Sequence, residues 1–135
     1  MTAIAVPPNS QAVEKQVLLL DDNPVQLATR QRVLSTAGLE VHIATNAESA
    51  LALLRSETFR SVIGMIVTEH IMPEVTGNEF VGMLREIAPE VPILVISGLA
   101  EAEEQYRGFS NVEFRTKPMQ PTDLIELVRS KISPA

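Results

Sequence analysis

Five polar side chains could do chemistry together in this sequence: Asp21, Asp22, Glu69, Ser97 and Lys117. Each follows a short stretch that reads as a strand, and together they come from four strand ends. Three carboxylates brought so close repel one another, and a cation between them relieves that repulsion. A hard divalent ion with oxygen ligands, Mg2+ above all, suits such a set. Lys117 could offset the remaining charge or pair with an incoming anion, and Ser97 offers that anion a hydroxyl. Taken singly, each residue has a plainer reading. An Asp-Asp pair is often a turn and helix cap, a Ser-Gly is usually a turn, and a lysine before proline is usually a solvated surface residue. The functional reading rests on all of them falling at carboxyl ends of predicted strands.

The elements that must position them are legible in the apolar pattern. Val17-Leu18-Leu19-Leu20, Val62-Ile63-Gly64-Met65-Ile66-Val67 and Ile93-Leu94-Val95-Ile96 do not alternate polar with apolar residues. Such runs belong to strands covered on both faces, as in a parallel sheet between helix layers. Glu40 to Ala44 and Val112 to Arg115 are weaker strand candidates. The first helix begins at Pro24, suited to a first helical turn, and stops near Gly38. The second carries Ala47, Ala50, Leu51 and Leu54 on one face, with Asn46 as cap. The third repeats that spacing at Phe80, Met83, Leu84 and Ile87, behind a Thr76/Glu79 capping box. The last starts near Pro121, with Leu124, Val128 and Ile132 along one face. Five strand-then-helix repeats imply an open, doubly wound parallel sheet with right-handed crossovers. Ligands in that architecture bind beyond the carboxyl ends of the strands, where strand order switches.

With 135 residues the chain suits one domain, and 45% hydrophobic residues suffice for a core. The formal net charge of −6 argues against nucleic acid and anionic membrane as partners. No cysteine is present, which excludes disulfides, zinc–thiolate sites and cysteine nucleophiles. No apolar run approaches the roughly 20 residues needed to span a bilayer, and the start lacks a secretion signal. A soluble cytoplasmic protein is expected, with residues 1–14, including Pro7-Pro8-Asn9-Ser10, as a disordered leader and residues 15–133 as the domain.

The segments VLLLDDNP, EHIMPEVTG, LVISG and FRTKP, in that order and spacing, resemble the receiver domains of response regulators, the CheY-like family of two-component systems. The resemblance runs from about Lys15 to Ile132 and implies a flavodoxin-like five-stranded sheet of order 2-1-3-4-5. It implies roles as well. Asp22, with Asp21, Glu69 and the backbone carbonyl near Ile71, would hold Mg2+. Ser97 would be the switch hydroxyl and Lys117 the phosphate-pairing cation. Phe114 matches an aromatic that changes rotamer on activation, and Lys117-Pro118 matches a cis peptide bond. The implied partners are a sensor histidine kinase or phosphotransfer protein upstream. A downstream protein would dock on the face of Glu101–Arg107, Val112–Arg115 and Pro121–Ile132, a face that receivers also use to form homodimers. With the tail ending at Ala135, no output domain is expected, so output would come from binding another protein. The domain is not expected to be an enzyme beyond self-phosphotransfer.

Two departures stand out. The family places aspartate at the acceptor position, and this chain has Glu69. One methylene adds about 1.5 Å of reach, and in-line phosphoryl transfer tolerates little misplacement. Little or no phosphorylation is therefore expected. Glu69 would either mimic the phosphorylated aspartate, reaching toward Ser97 and Lys117, or mark a degenerate receiver kept as a fixed interaction module. The remaining alternative is a working phosphoacceptor. As a mimic it offers one charge and two oxygens, against nearly two charges and three oxygens for a phosphate. The second departure is the stretch between Ser97 and Lys117, slightly short for the family, with only Glu101 to Arg107 helical and rich in glutamate. Met119 replaces the phenylalanine common after Lys-Pro, a packing substitution.

Other residues read as structural. His70 belongs to the loop after strand three rather than to a metal or relay site. His42 reads as a strand-surface residue, and Arg30 and Arg32 as a solvated face of the first helix. A flavin-binding or small enzymatic α/β domain would need a phosphate loop after strand one. Asp21-Asp22-Asn23-Pro24 stands there instead, and neither a G-x-G-x-x-G nor a P-loop lysine motif is present.

Overall fold

The computed structural model describes residues 15–133, so the leader expected over residues 1–14 lies outside the described residues. Five parallel strands, β1 (Gln16–Leu20), β2 (Val41–Ala44), β3 (Ile63–Glu69), β4 (Ile93–Ser97) and β5 (Val112–Thr116), form one sheet. Their order is β2-β1-β3-β4-β5, as the resemblance implied. β3 and β4 run further than the apolar pattern suggested, so Glu69 and Ser97 are the last residues of their strands rather than the first beyond them.

The three central strands are buried on both faces, which is why their residues do not alternate in polarity. Facing still alternates. Leu18, Leu20, Ile66, Ile93 and Val95 join one core with α2 (Ala47–Leu54) and α4 (Gly77–Ile87). Val17, Leu19, Met65, Val67, Leu94 and Ile96 join a second core with α1 (Pro24–Thr36) and α5 (Pro121–Ile132). The site sits where the first crossovers leave the sheet in opposite directions, beside β1 and β3.

The helix caps follow the sequence. Asn23 and Asn46 side chains accept from the backbone N–H groups of Gln26 and Ser49, and Pro24 opens α1. Gly38 adopts φ of 91°, the left-handed conformation that ends α1 cheaply. Thr76 and Glu79 form the capping box at α4. That helix buries Phe80, Val81 and Leu84, whereas Met83 is 44% exposed. Its apolar face is thus turned toward Val81 rather than Met83, as contact with the sheet demands. Two features differ from five plain strand–helix repeats. An extra short helix, α3 (Glu57–Val62), capped by Ser56, precedes β3; it buries none of its own residues, so it left no apolar period to read. The glutamate-rich crossover after β4 is a 3-10 helix, Ala100–Tyr106, that buries Ala102 and Tyr106. No helix among the described residues is long and apolar enough to cross a membrane.

Candidate functional site

At the carboxyl ends of β1 and β3, Asp21 and Glu69 are 1% and 5% exposed. Asp21 shapes the exit from β1, its Oδ1 accepting from the Asn23 backbone N–H at 2.9 Å. Its Oδ2 accepts from Gln26 Nε2 at 2.5 Å and from Arg30 Nη1 at 3.2 Å. Glu69 Oε2 accepts from the same two groups, Arg30 at 2.6 Å and Gln26 at 3.2 Å. Its other oxygen, Oε1, pairs with Lys117 Nζ at 2.8 Å. Two buried carboxylates thus face two cations, with one guanidinium nitrogen bridging both acids.

Arg30 corrects the sequence reading, which placed it on a solvated face. Its side chain is only 12% exposed, whereas Arg32 does face solvent. The periodicity contained the signal. Leu27, Arg30, Gln31 and Leu34 stand at i, i+3, i+4 and i+7, and the two leucines are buried. Arg30 therefore lies on the inward stripe, one turn beyond Gln26. A helix starting three residues after Asp21 can only point that stripe back at the strand ends.

Of the other expected site residues, Lys117 is in place, just past β5, with its backbone N–H donating to the Ser97 carbonyl at 2.9 Å. The Lys117-Pro118 bond is cis. Ser97 is buried at the end of β4, and its hydroxyl oxygen accepts from the Leu99 N–H at 3.1 Å. Among the described residues the side-chain partners of Glu69 are Gln26, Arg30 and Lys117, and Ser97 is not among them. Phe114 is buried at 8% exposure against the ring of Tyr106, centroids 5.7 Å apart.

The expected metal set is not gathered. Asp22 is exposed and lines a separate cleft of about 170 Å3 with Asn46, Glu48, Met72 and Glu74. Ile71 is 62% exposed. Among the described residues no group of three or more acidic, histidine or cysteine side chains is placed to hold a metal ion. The donor chemistry agrees: the oxygens of Asp21 and Glu69 that would face a shared Mg2+ are already occupied by N–H donors, which cannot ligate a cation. In this arrangement the pocket does not fit Mg2+.

A second buried polar pair went unread in the sequence. His70, just past β3, is 6% exposed and meets the Tyr106 hydroxyl through Nδ1 at 2.5 Å, its ring edge-on to the phenol. Burial pushes the Tyr106 phenol pKa up. Gly77 makes room for it: a Cβ there would collide with the Tyr106 hydroxyl and come within 2.8 Å of His70 Cα. His70 is indeed a loop residue, but a buried one that ties this loop to the 3-10 helix. His42 is half-buried in β2, paired with Gln16 Oε1 at 2.6 Å.

Comparison with known proteins agrees with this geometry. Residues 17–129 match the response regulator receiver domain family. The two-component response regulator ORR1 of Oryza sativa subsp. indica is 32% identical over 130 residues, covering 89% of this chain and 55% of its own length. An uncharacterized 14.6 kDa protein of Leptolyngbya boryana is 30% identical over 122 residues, covering 86% of this chain and 88% of its own. The chain spans about a quarter (24%) of another relative, the hydrogenase transcriptional regulatory protein HoxA of Bradyrhizobium diazoefficiens. A receiver protein structure from Pseudomonas putida superposes with a TM-score of 0.78 at 28% identity, covering 88% of this chain and 98% of that one. A CheY-like receiver from Methanospirillum hungatei gives the same score at 24% identity. With the sheet order, the strand-end acids and the Lys-cis-Pro corner in place, the chain belongs to the response regulator receiver domain family of two-component systems.

Proposed function

We propose that this receiver domain signals without accepting a phosphoryl group, holding one state through Glu69 and conveying it by protein–protein contact. The observation that supports this is the pairing of both Glu69 oxygens, one with Lys117 at 2.8 Å and the other with Arg30 at 2.6 Å. A nucleophile needs a lone pair aimed at the donor phosphorus. Here both oxygens are held by cations, and the lysine that would meet the incoming phosphate is engaged. The side chain also stands one methylene, about 1.5 Å, further out than an aspartate. As a mimic of a phosphorylated residue Glu69 is partial: it reaches Lys117, while Ser97 keeps its bond to Leu99.

On this reading the domain carries out no catalytic step. It would still be presented to a histidine kinase or phosphotransfer protein, and its output face would be the 3-10 helix, β5 and α5. That face is laced with ion pairs, Arg107 with Glu104 at 2.9 Å and Arg115 with Glu113 at 2.5 Å, so a downstream partner would meet a polar, charged surface. The test is the intact mass of the protein after incubation with Mg2+ and a small acyl-phosphate donor, with an aspartate-bearing receiver in the same tube as control. The expected result is a phosphoryl gain by the control alone. A gain located at Glu69 would overturn the proposal and make the domain an ordinary phosphoacceptor.

A further inference from the structure

We propose that Arg30 is the resident cation of the strand-end pocket, doing the work that a divalent ion would otherwise do and shutting that ion out. The inference deepens the reading of the same site given above. Its first support is position. Arg30 Nη1 lies 3.2 Å from Asp21 Oδ2 and 2.6 Å from Glu69 Oε2, so a single atom bridges the two acids where a shared cation would sit. Mg2+ binds carboxylate oxygens at about 2.0–2.1 Å in a near-octahedral shell. No such shell can form around those two oxygens while a guanidinium nitrogen and the Gln26 amide both rest on them.

Charge gives the second support. Arg30 and Lys117 together balance Asp21 and Glu69, so a divalent ion would enter a pocket already neutral by count. The guanidinium stays charged throughout the physiological range and offers several donors in a fixed plane, which suits a permanent bridge. Third, the remaining acid is not available. Asp22 is exposed and lines a different cleft, so it does not join the bridge between Asp21 and Glu69. Burial of Arg30 to 12% exposure, reached through the inward stripe of α1, shows that the bridge is built into the fold rather than laid on its surface.

The test uses the metal alone, without any phosphodonor. Mg2+ binding is measured by calorimetry on the unmodified protein, Arg30→Ala and Arg30→Gln, alongside urea midpoints in EDTA and in Mg2+. The unmodified protein should show no saturable binding at millimolar Mg2+, and its midpoint should be the same in both buffers. The arginine variants should be weakened in EDTA, regain stability in Mg2+, and bind the ion at least about tenfold more tightly than the unmodified protein, a difference of about 1.4 kcal/mol. Saturable Mg2+ binding by the unmodified protein would overturn the inference even if neither variant folds. So would variants that fold and remain indifferent to Mg2+. The two proposals fail separately: Mg2+ binding without phosphorylation removes only the role of Arg30, whereas phosphorylation at Glu69 removes the reading above whatever Arg30 does.

Discussion

Replacing Tyr106 with phenylalanine isolates one hydroxyl whose surroundings are fully enclosed. Tyr106 is 3% exposed, and among the described residues its hydroxyl is hydrogen-bonded to His70 Nδ1 at 2.5 Å, itself on a residue 6% exposed. The phenylalanine ring keeps the contact with Phe114 and fills almost the same volume, so packing changes little. What is lost is the hydrogen bond, and a buried imidazole nitrogen is left without a partner, at a cost of about 1–3 kcal/mol. The pH dependence sharpens the prediction. Burial holds the folded phenol pKa above its ordinary value. Below about pH 10 the phenol is neutral in folded and unfolded chains alike, and its contribution to stability is fully present. Above that, the unfolded chain releases the proton while the folded chain keeps it, so stability falls by up to about 1.4 kcal/mol per pH unit until the folded phenol ionises. Tyr106→Phe lacks this loss. The stability gap between the two proteins, read from urea unfolding by far-ultraviolet circular dichroism, should therefore narrow from about pH 8 to about pH 11. As Tyr106 is the single tyrosine and no tryptophan is present, phenolate absorbance reports this residue alone. The native protein should ionise above the pH at which it does so in denaturant. A substituted protein within about 0.5 kcal/mol of the original at pH 8, the scatter of neutral surface changes, would refute the buried bond. A gap that stays constant with pH would refute the displaced phenol.

Gly77→Ala should be among the more damaging small changes, because the added methyl meets the Tyr106 hydroxyl on one side and the backbone of Glu69 and His70 on the other. Overpacking of this kind costs about 1–3 kcal/mol, and the drop in melting temperature that Gly77→Ala causes should be smaller, but still present, when it is made in a Tyr106→Phe background, since only one of the three clashes is then relieved. Thr76→Ala removes the hydroxyl that caps α4 and should cost about 1 kcal/mol in urea unfolding. Its capping partner Glu79 has a carboxyl held below its ordinary pKa by the Thr76 backbone N–H, so that part of the cap is present above the unfolded carboxyl pKa and fades as pH falls through the folded one. Glu79→Gln should flatten the acid limb of the stability profile, and an unchanged limb would show the box to be incidental.

The strands, the caps and the position of the site were written in local pattern. Apolar runs of four or more residues without alternation can be satisfied only by a sheet covered on both faces, and that is how β1, β3 and β4 lie. Asn23, Asn46, Thr76 and Gly38 act within one turn of themselves, so their capping roles needed no tertiary information. That Asp21, Glu69, Ser97 and Lys117 fall at or just past the ends of β1, β3, β4 and β5 follows from counting. Which polar groups then meet was decided by packing. Asp21 and Asp22 are neighbours in sequence and equal in chemistry, yet one is buried among donors and the other faces solvent, because successive residues leaving a strand point in opposite directions. Arg30 reads as polar in composition, but it lies on the stripe shared with Leu27 and Leu34, and docking of α1 on the sheet carries it 39 residues across the chain to Glu69. His70 and Tyr106, 36 residues apart, met only because Gly77 left room between their elements. Sequence alone determined the architecture and the location of the pocket, since both depend on short-range periodicity. The tertiary structure decided what neutralises the pocket, because charge compensation depends on distances between elements that no local pattern encodes.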